Sequence, residues 1–338
     1  MAQETRPLVI AHRGASGWLP EHTLEAYRAA VEAGADFIEP DLVATRDGVL
    51  VARHENRIDE TTDVAARPEF AGRRRTKEID GQAVTGWFTE DFTLAELKTL
   101  RARERLPHLR PRSAAHDGRY EVPTLDEVIA LALRASEERG RAVGIYPETK
   151  HPSYFRALGL PLEEALVDAL HRAGWRERED PVFIQSFETA NLRDLRGKTR
   201  LRLVQLMEAE GRPFDWTLRG ETRTYADMAT PDGLREVAGY AGAIGPAKAL
   251  VIPRGPDERL GHPTRLVDDA HAAGLQVHPW TFRSENAFLP ADLRRGAAPH
   301  EHGDSAAEYA RFFAAGVDGV FSDFAAEAVA ARAKLGER

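Results

Sequence analysis

Residues 8–43 read LVIAHRGASGWLPEHTLEAYRAAVEAGADFIEPDLV, a stretch that predicts a strand, a helix and a second strand in succession. The first apolar run, residues 8–12, has the length of a short buried strand. Apolar residues follow at helical spacing, namely Leu24, Tyr27 and Val31. Gly34 is placed to end that helix, and the apolar run at residues 36–43 predicts the next strand. This order of elements is typical of parallel α/β proteins.

The same alternation continues to the end of the chain. Six further apolar runs predict strands, at residues 142–146, 182–185, 201–206, 249–252, 275–279 and 317–321. Amphipathic helical patterns lie between them, at residues 125–135, 162–173, 264–273 and 306–315. Eight strands with intervening helices indicate an α/β fold of the (β/α)8 TIM-barrel class rather than an open sheet. No Gly-x-Gly-x-x-Gly follows the first strand, which argues against a dinucleotide-binding fold.

One region interrupts this alternation. Between residues 55 and 121 we find no βα unit, but a turn at residues 85–88, one helix near residues 94–100 and a Pro/Arg-rich stretch. A single barrel takes about 250 residues, so a chain of 338 residues has room for an insertion. We expect one barrel domain over residues 1–338, with residues 55–121 inserted after the second strand.

Composition excludes several classes of function. The formal net charge of −8 argues against broad binding to nucleic acid or anionic lipid, so any bound phosphate must meet a local cluster of positive charge. The chain has no cysteine, which excludes a disulfide framework, a thiolate metal site and a cysteine nucleophile. The sequence leaves the oligomeric state open.

The sequence also bears on location. No stretch has the length of a signal-peptide core or of a membrane span, so we expect no stable membrane insertion. As the sequence stands this predicts a cytoplasmic protein. If a leader has been removed, the protein is periplasmic or secreted, and residues 2–4 would suit the start of a mature exported chain.

Two acidic residues lie in the second predicted strand. Glu39 and Asp41 are two residues apart, so they point to the same face. The apolar neighbours Phe37 and Val43 share that face, while Ile38 and Leu42 occupy the other. A strand that is apolar on both faces is normally buried, and adjacent buried carboxylates require protonation or a cation between them. Glu148 follows the third predicted strand and adds a third oxygen ligand. We expect one divalent cation here; the alternative is that the acids are surface groups.

Basic residues also stand at predicted strand ends. His12 and His54 each close a short apolar run, and histidine suits the acid and base that cleavage of a phosphodiester needs near neutral pH. Arg13 offers a bidentate donor for phosphate oxygens, and Lys150 is placed to share a face with Glu148. The alternatives are packed or surface histidines and, for Lys150, an exposed loop.

The motifs that carry these residues resemble the signature of the glycerophosphodiester phosphodiesterase family. The similar segments near the start are IAHRGAS (10–16), PEHT (20–23), GADFIEPDL (34–42) and TRDG (45–48) with the run up to residue 54. Later ones, in the same order as in the family, are PTL (123–125), QSF (185–187), WT (280–281) and GVDGVFSD (316–323). The long form with an insertion most resembles the bacterial GlpQ-like branch.

The resemblance implies a phosphoric diester hydrolase that converts glycerophosphodiesters, in a metal-dependent reaction, to an alcohol and sn-glycerol 3-phosphate. The implied metal ligands are Glu39, Asp41 and Glu148, with Ca²⁺ preferred and Mg²⁺ also compatible. The implied acid–base pair is His12 and His54, and the implied phosphate ligands are Arg13 and Lys150. Trp280 and Gln185 are candidates for the substrate pocket, with packing as the alternative for both. In the family the insertion helps to shape the glycerol side of the pocket.

Two departures from the family pattern bear on the site. Glu55 stands where the family usually has aspartate after its second histidine, and Tyr146-Pro147 precedes Glu148. Two rival functions also follow from the sequence. A lysophospholipase-D-like activity on longer lipids fits the acidic composition poorly. A binding protein that has lost turnover would need neither histidine of the acid–base pair.

Overall fold

Parallel strands form a closed barrel at the centre of the computed structural model, which describes residues 6–337. The strands are β1 (Leu8–Ala11), β2 (Phe37–Ile38), β3 (Asp41–Ala44), β4 (Leu50–Ala52), β5 (Arg75–Ile79), β6 (Gln82–Gly86), β7 (Gly144–Ile145), β8 (Glu148–Thr149), β9 (Phe183–Ser186), β10 (Arg202–Met207), β11 (Ala243–Pro246), β12 (Gln276–Val277) and β13 (Gly319–Ser322). The helices are α1 (Leu24–Glu32), α2 (Leu94–Leu97), α3 (Pro111–Ala114), α4 (Leu125–Arg139), α5 (Pro152–Ala157), α6 (Leu162–Arg172), α7 (Thr189–Lys198), α8 (Phe214–Leu218), α9 (Tyr225–Met228), α10 (Pro231–Ala238), α11 (Lys248–Val251), α12 (Leu266–Ala272), α13 (Ser305–Ala314) and α14 (Ala325–Ala333).

The barrel strands follow one another around the ring in chain order, and each neighbouring pair is parallel. The second barrel strand consists of β2 and β3, and the third of β7 and β8. Pro40 and Pro147 lie in these two interruptions, because a proline has no N–H to donate to a ladder. The single strand predicted over residues 36–43 is therefore split in two.

The last strand closes the ring. β13 pairs in parallel with β1. On its other side, the backbone amides of Asp318 and Phe321 donate hydrogen bonds to the carbonyl oxygens of Val277 and Pro279, at 2.9 and 3.1 Å. These bonds join the seventh barrel strand to the eighth, so the predicted TIM barrel is confirmed.

Helices cover the outside of the barrel, one after each barrel strand: α1, α4, α6, α7, α10, α12, α13 and α14. Their ends follow from the sequence. The Thr23 hydroxyl accepts a hydrogen bond from the Ala26 amide at the start of α1. Thr124 and Glu127 form a reciprocal capping box on α4, which ends at Gly140 in the left-handed conformation. Such caps contribute about 1 kcal/mol each.

The interior of the barrel is filled by side chains rather than open. The buried residues of this interior cluster are Ile10, Phe37, Tyr146, Phe183, Val204, Ala243 and Phe321. Aromatic rings dominate it: Tyr146 stacks on Phe183 at 4.9 Å and meets Phe321 edge-on at the same distance. The cluster forms a rigid floor beneath the carboxyl ends of the strands.

One predicted strand is wrong. Residues 249–252 do not form a strand, because α11 covers Lys248–Val251, and the sixth barrel strand is β11 at Ala243–Pro246. A β-carbon on Gly245 would lie 2.6 Å from Leu206 Cδ2, so glycine lets the side chain of Leu206 pack closely against this strand. Glycine and proline weaken the strand pattern in the sequence, and the apolar run behind them lines the outer core as a helix.

The segment between β4 and α4 lies at the carboxyl end of the barrel. It contains the antiparallel hairpin of β5 and β6, the short helices α2 and α3, and 3₁₀ turns at Val64–Ala66, Pro68–Arg73 and Thr89–Asp91. The helix predicted near residues 94–100 is shorter, since α2 ends at Leu97. β4 pairs with β3 in the antiparallel sense and leads the chain out of the barrel.

None of the helices within residues 6–337 has the length and apolar character needed to cross a membrane. The expectation attached to residues 2–4, that they suit the start of an exported chain, lies outside the described residues.

The interior cluster generates a test of stability. Phe183 is 1% exposed, so Phe183→Ala should leave a cavity and lower the free energy of unfolding by about 3–5 kcal/mol. Urea denaturation monitored by circular dichroism measures this change. Phe214→Ala, at a half-buried phenylalanine of α8, is the control and should cost less. A loss below about 1 kcal/mol for Phe183→Ala would contradict a filled barrel interior.

Candidate active site

A cavity of about 330 Å³ opens at the carboxyl ends of the barrel strands. It is lined by His12, Arg13, Glu39, His54, Glu55, Glu148, Lys150, Gln185, Phe187, Leu206, Glu208, Trp280, Thr281, Arg283 and Phe321. The lining thus contains every predicted site residue except Asp41. Asp41 is buried just behind the wall, with its Oδ2 atom 3.5 Å from Nε of Arg13.

Three buried carboxylates meet at this wall. Oxygens of Glu39, Asp41 and Glu148 all lie within 4.8 Å of one another. The strand register produces this meeting, because Asp41 and Glu148 are directly paired in β3 and β8. Burial and the two neighbouring carboxylates raise the pKa of Glu39 well above its usual value. Burial likewise raises the pKa of Glu148 to about 7.

Each carboxylate is held by a specific donor. The Gln185 amide donates to Glu39 Oε1 at 2.6 Å, and the backbone amide of Arg13 donates to Oε2 at 3.1 Å. His22 Nε2 lies 3.0 Å from Asp41 Oδ2. Burial opposes ionisation of Asp41, but His22, Lys150 and Arg13 together outweigh it and hold the pKa of Asp41 well below its usual range. Gln185 therefore orients a carboxylate in addition to lining the pocket.

This cluster fits a divalent cation. Within residues 6–337, Asp41 Oδ1 is buried and has no hydrogen-bond partner. Three carboxylates at such short separations repel one another, and oxygen donors of this kind are the ligands that hard cations prefer. A cation at this place would relieve the repulsion and supply the missing partner of Asp41.

His12, at the end of β1, is fixed on one side of its ring. Its Nδ1 atom lies 2.5 Å from Asp323 Oδ1. Burial opposes ionisation of Asp323, but Arg110 and Arg283 outweigh it and hold its pKa well below the usual range. An ionised carboxylate only accepts, so Nδ1 carries the proton and Nε2 is the free acceptor, 3.5 Å from the Thr281 hydroxyl. Burial and the charge of Arg13 lower the pKa of His12 to about 4.

His54 faces the cavity from the other side. Its Nδ1 atom lies 2.7 Å from Glu55 Oε1, and its Nε2 atom lies 3.2 Å from Nζ of Lys150. Burial, Arg13 and Lys150 lower the pKa of His54 well below its usual value. Glu55, one of the two departures from the family pattern, thus still places a carboxylate against the imidazole. Its other oxygen lies 3.1 Å from Nε2 of His151.

Two cationic side chains border the carboxylates. Arg13 has a positive φ of 60°, and a β-carbon on the next residue, Gly14, would lie 2.8 Å from the backbone of Ala26. The sharp turn after β1 therefore requires glycine and brings the guanidinium of Arg13 over the cavity. Burial opposes protonation of Lys150, but Glu148 and Asp41 raise its pKa to about 12.

Aromatic residues form the opposite wall. The Trp280 indole donates to the Gly245 carbonyl at 2.7 Å, and its ring meets Phe187 edge-on at 5.8 Å. The geometry accommodates both interpretations of Trp280, since the side chain lines the cavity and is also packed. Together with the cations, this wall provides an amphipathic cavity that suits a small anionic molecule with carbon groups.

Sequence reasoning missed several residues around the site. Asp323 follows the last barrel strand, so the rule that chemistry lies at strand ends would have found it. His22 lies in the turn after β1, where no periodicity indicates its contact with Asp41. Arg110 lies in the segment between β4 and α4, far from the barrel strands in sequence, and no local signal marks it.

Catalysis at the carboxyl ends of the strands is characteristic of TIM-barrel enzymes, and the cations of this cavity suit a substrate that carries negative charge. The sequence model of the glycerophosphoryl diester phosphodiesterase family matches residues 12–327. The chain belongs to this family of hydrolases.

Individual relatives agree with this membership. A glycerophosphodiester phosphodiesterase of Arabidopsis thaliana is 40% identical over 95% of this chain and 85% of its own length. One from Haemophilus influenzae is 29% identical over 94% and 87%. A solved phosphodiesterase of Oleispira antarctica, in complex with the product sn-glycerol-3-phosphate, superposes with a TM-score of 0.60 at 20% identity and 96% coverage of both chains, which shows the same fold.

The histidine next to the site generates a test of pH dependence. Burial opposes protonation of His151, but Asp80 and Glu55 raise its pKa to about 9. A pKa raised on folding stabilises the protein below about pH 6.5, and this contribution is lost as the pH rises through 9. Between pH 6.5 and 9.5 the wild type should lose about 1–3 kcal/mol more stability than His151→Gln. Urea unfolding at both pH values measures this, and equal losses would contradict it.

Proposed function

We propose that the protein hydrolyses glycerophosphodiesters in a reaction that depends on a divalent metal ion and releases an alcohol and sn-glycerol 3-phosphate. The observation that carries this proposal is the convergence of three carboxylates, two histidines and two cations on one cavity. The sn-glycerol-3-phosphate complex of the Oleispira antarctica phosphodiesterase supports the choice of product.

Glu39, Asp41 and Glu148 would hold the metal ion. When bound, a divalent cation neutralises charge on the phosphate and polarises its oxygens. We propose Ca²⁺ as the preferred ion because it tolerates irregular oxygen geometry, with Mg²⁺ as an alternative. Gln185 and His22 would keep two of the carboxylates oriented. Gln185 donates to Oε1 of Glu39, and His22 contacts Oδ2 of Asp41.

Arg13 and Lys150 would bind the non-bridging oxygens of the phosphate. Both are cationic and both contact the carboxylate cluster, Arg13 through Asp41 and Lys150 through Glu148 at 2.9 Å. A dianionic transition state would draw these side chains toward the phosphorus, because charge-assisted hydrogen bonds are strongest where charge develops. Trp280 would face the carbon atoms of the glycerol.

His12 and His54 would act as an acid–base pair. His12 Nε2 is unprotonated and faces the cavity, so we assign it the role of base: it takes the proton of the glycerol hydroxyl adjacent to the phosphate. That oxygen attacks phosphorus and forms a cyclic phosphate while the bond to the leaving alcohol breaks. His54 protonates the leaving oxygen. Because burial and the cations of Arg13 and Lys150 lower its pKa in the free protein, the anionic substrate must first neutralise these cations so that His54 enters the reaction protonated. Water then opens the ring, with the two proton transfers reversed.

The metal requirement is tested with glycerophosphocholine as substrate. EDTA should abolish release of sn-glycerol 3-phosphate, and added Ca²⁺ or Mg²⁺ should restore it. Asp41→Asn should weaken Ca²⁺ binding at least about tenfold in calorimetry, because it removes one of three anionic ligands. Glu104→Gln changes a buried acid outside the cluster and is the matched control. Full activity in EDTA, or no product with either ion in a folded sample, would contradict the proposal.

The two histidine roles are tested by changing the leaving group. His12→Gln and His54→Gln should each lower kcat on glycerophosphocholine by about 10²–10⁴-fold. With a glycerophosphodiester of p-nitrophenol, whose anion leaves without protonation, His54→Gln should regain most of its rate and His12→Gln should not. The opposite pattern would exchange the two roles, and near-normal turnover of either variant on glycerophosphocholine would rule out the pair.

A further inference from the structure

Asp323, the carboxylate that holds His12, is itself held by the insertion. Its Oδ1 atom contacts His12 Nδ1, and its Oδ2 atom accepts from Nη2 of Arg110 at 2.5 Å and from Nε of Arg283 at 2.9 Å. Asp323 is 1% exposed, so its charge depends on these partners rather than on water. Arg283 lines the cavity, whereas Arg110 is buried behind it.

Arg110 belongs to the segment between β4 and α4 and immediately precedes α3. All three nitrogens of its guanidinium donate hydrogen bonds. Nε donates to Glu285 Oε1 at 2.6 Å, and Nη1 donates to the Ser16 carbonyl at 3.0 Å. Together with Asp323, these contacts join three separate parts of the barrel mouth: the loop after β1, the loop after β12 and the end of β13. A planar fork fixed at three points has little freedom to rotate.

The guanidinium of Arg110 is connected to the cavity through one carboxylate, that of Asp323, which contacts His12. Asp323 can satisfy Arg110 and His12 together only when its two oxygens point to opposite sides. In that orientation the imidazole has its Nδ1 proton on Asp323 and its Nε2 atom toward the substrate. The wrong tautomer would put a proton on Nε2 and remove the acceptor that the reaction uses.

We propose that Arg110 is a positioning residue, which holds Asp323 ionised and oriented so that His12 keeps its Nδ1 proton and directs a bare Nε2 atom at the substrate. This inference rests on the role proposed for His12. It gives the segment between β4 and α4 a part in the acid–base chemistry, in addition to the shaping of the pocket that the family resemblance implies.

The coupling is tested by a double-mutant cycle on kcat with glycerophosphocholine. Asp323→Asn should lower kcat by about 10²-fold or more, because the amide can favour the wrong tautomer. Arg110→Met should lower it by about tenfold, since Arg283 still contacts Asp323, with KM changed by less than about threefold. The double variant should be no slower than Asp323→Asn alone, because Arg110 acts through that carboxylate. If the factors by which the two single variants lower kcat multiply in the double variant, the proposal is overturned.

A matched control separates positioning from loss of stability. Arg332 is also buried and pairs with an aspartate, Asp36, but at the opposite end of the barrel. Arg332→Met should lower the melting temperature as Arg110→Met does, yet leave kcat and KM unchanged. Arg110→Lys keeps a positive charge and should recover part of the rate. If Arg110→Met fails to fold, the single variants Arg110→Lys and Asp323→Asn complete the comparison. Wild-type kcat in both of these single variants would overturn the proposal.

A spectroscopic measurement tests the positioning without turnover. In protein with ¹⁵N-labelled histidine, the ring nitrogens of His12, assigned with His12→Gln, should show a protonated Nδ1 and a bare Nε2. Arg110→Met should shift this pattern toward the other tautomer, and Arg332→Met should not. An unchanged pattern in Arg110→Met overturns the inference. If the pattern shifts but His12→Gln keeps normal turnover, the proposed role of His12 fails while its positioning by Arg110 stands.

Discussion

Repulsion among three buried carboxylates is the constraint on which the rest of this barrel mouth depends. Glu39, Asp41 and Glu148 would be costly anywhere in a protein interior, because each loses its hydration and each opposes the charge of the others. The structure surrounds them with donors from three sources: a side-chain amide, a backbone amide and the cations of Arg13 and Lys150. Within residues 6–337 these groups orient the oxygens but leave the buried Oδ1 atom of Asp41 without a hydrogen-bond partner, which a metal ion would supply.

The barrel tolerates this arrangement because two of its strands are interrupted at the same level. Pro40 and Pro147 donate no hydrogen bond, but their carbonyl oxygens accept from the amides of Glu148 and Gln185, at 3.0 and 2.9 Å. The ladder therefore continues across both breaks. The breaks coincide with the carboxylates, so the backbone can turn acidic side chains toward the cavity while the strands below keep the packed interior.

The segment between β4 and α4 contributes charge to the same place. Arg105 binds both oxygens of Glu21, at 3.0 and 2.6 Å, and Glu21 in turn contacts Arg13. Arg110 binds Asp323, which contacts His12. Two arginines of this segment thus compensate acids that lie directly behind a cation and a histidine of the cavity. An acidic chain can in this way keep cationic side chains at the cavity, which its net charge alone does not indicate.

The sequence by itself determined the features that local chemistry controls. Alternation of side chains placed Glu39 and Asp41 on one face, strand ends located His12 and Glu148, and the caps of α1 and α4 mark where those helices begin. The strand β11 was missed because it contains Gly245 and Pro246, which weaken the strand pattern in the sequence. Only the tertiary structure decided which groups hold the site: Arg110 and Asp323 are 213 residues apart, and closure of the ring brings them together. Periodicity records which residues are buried, whereas pairing of buried charges depends on how distant segments meet.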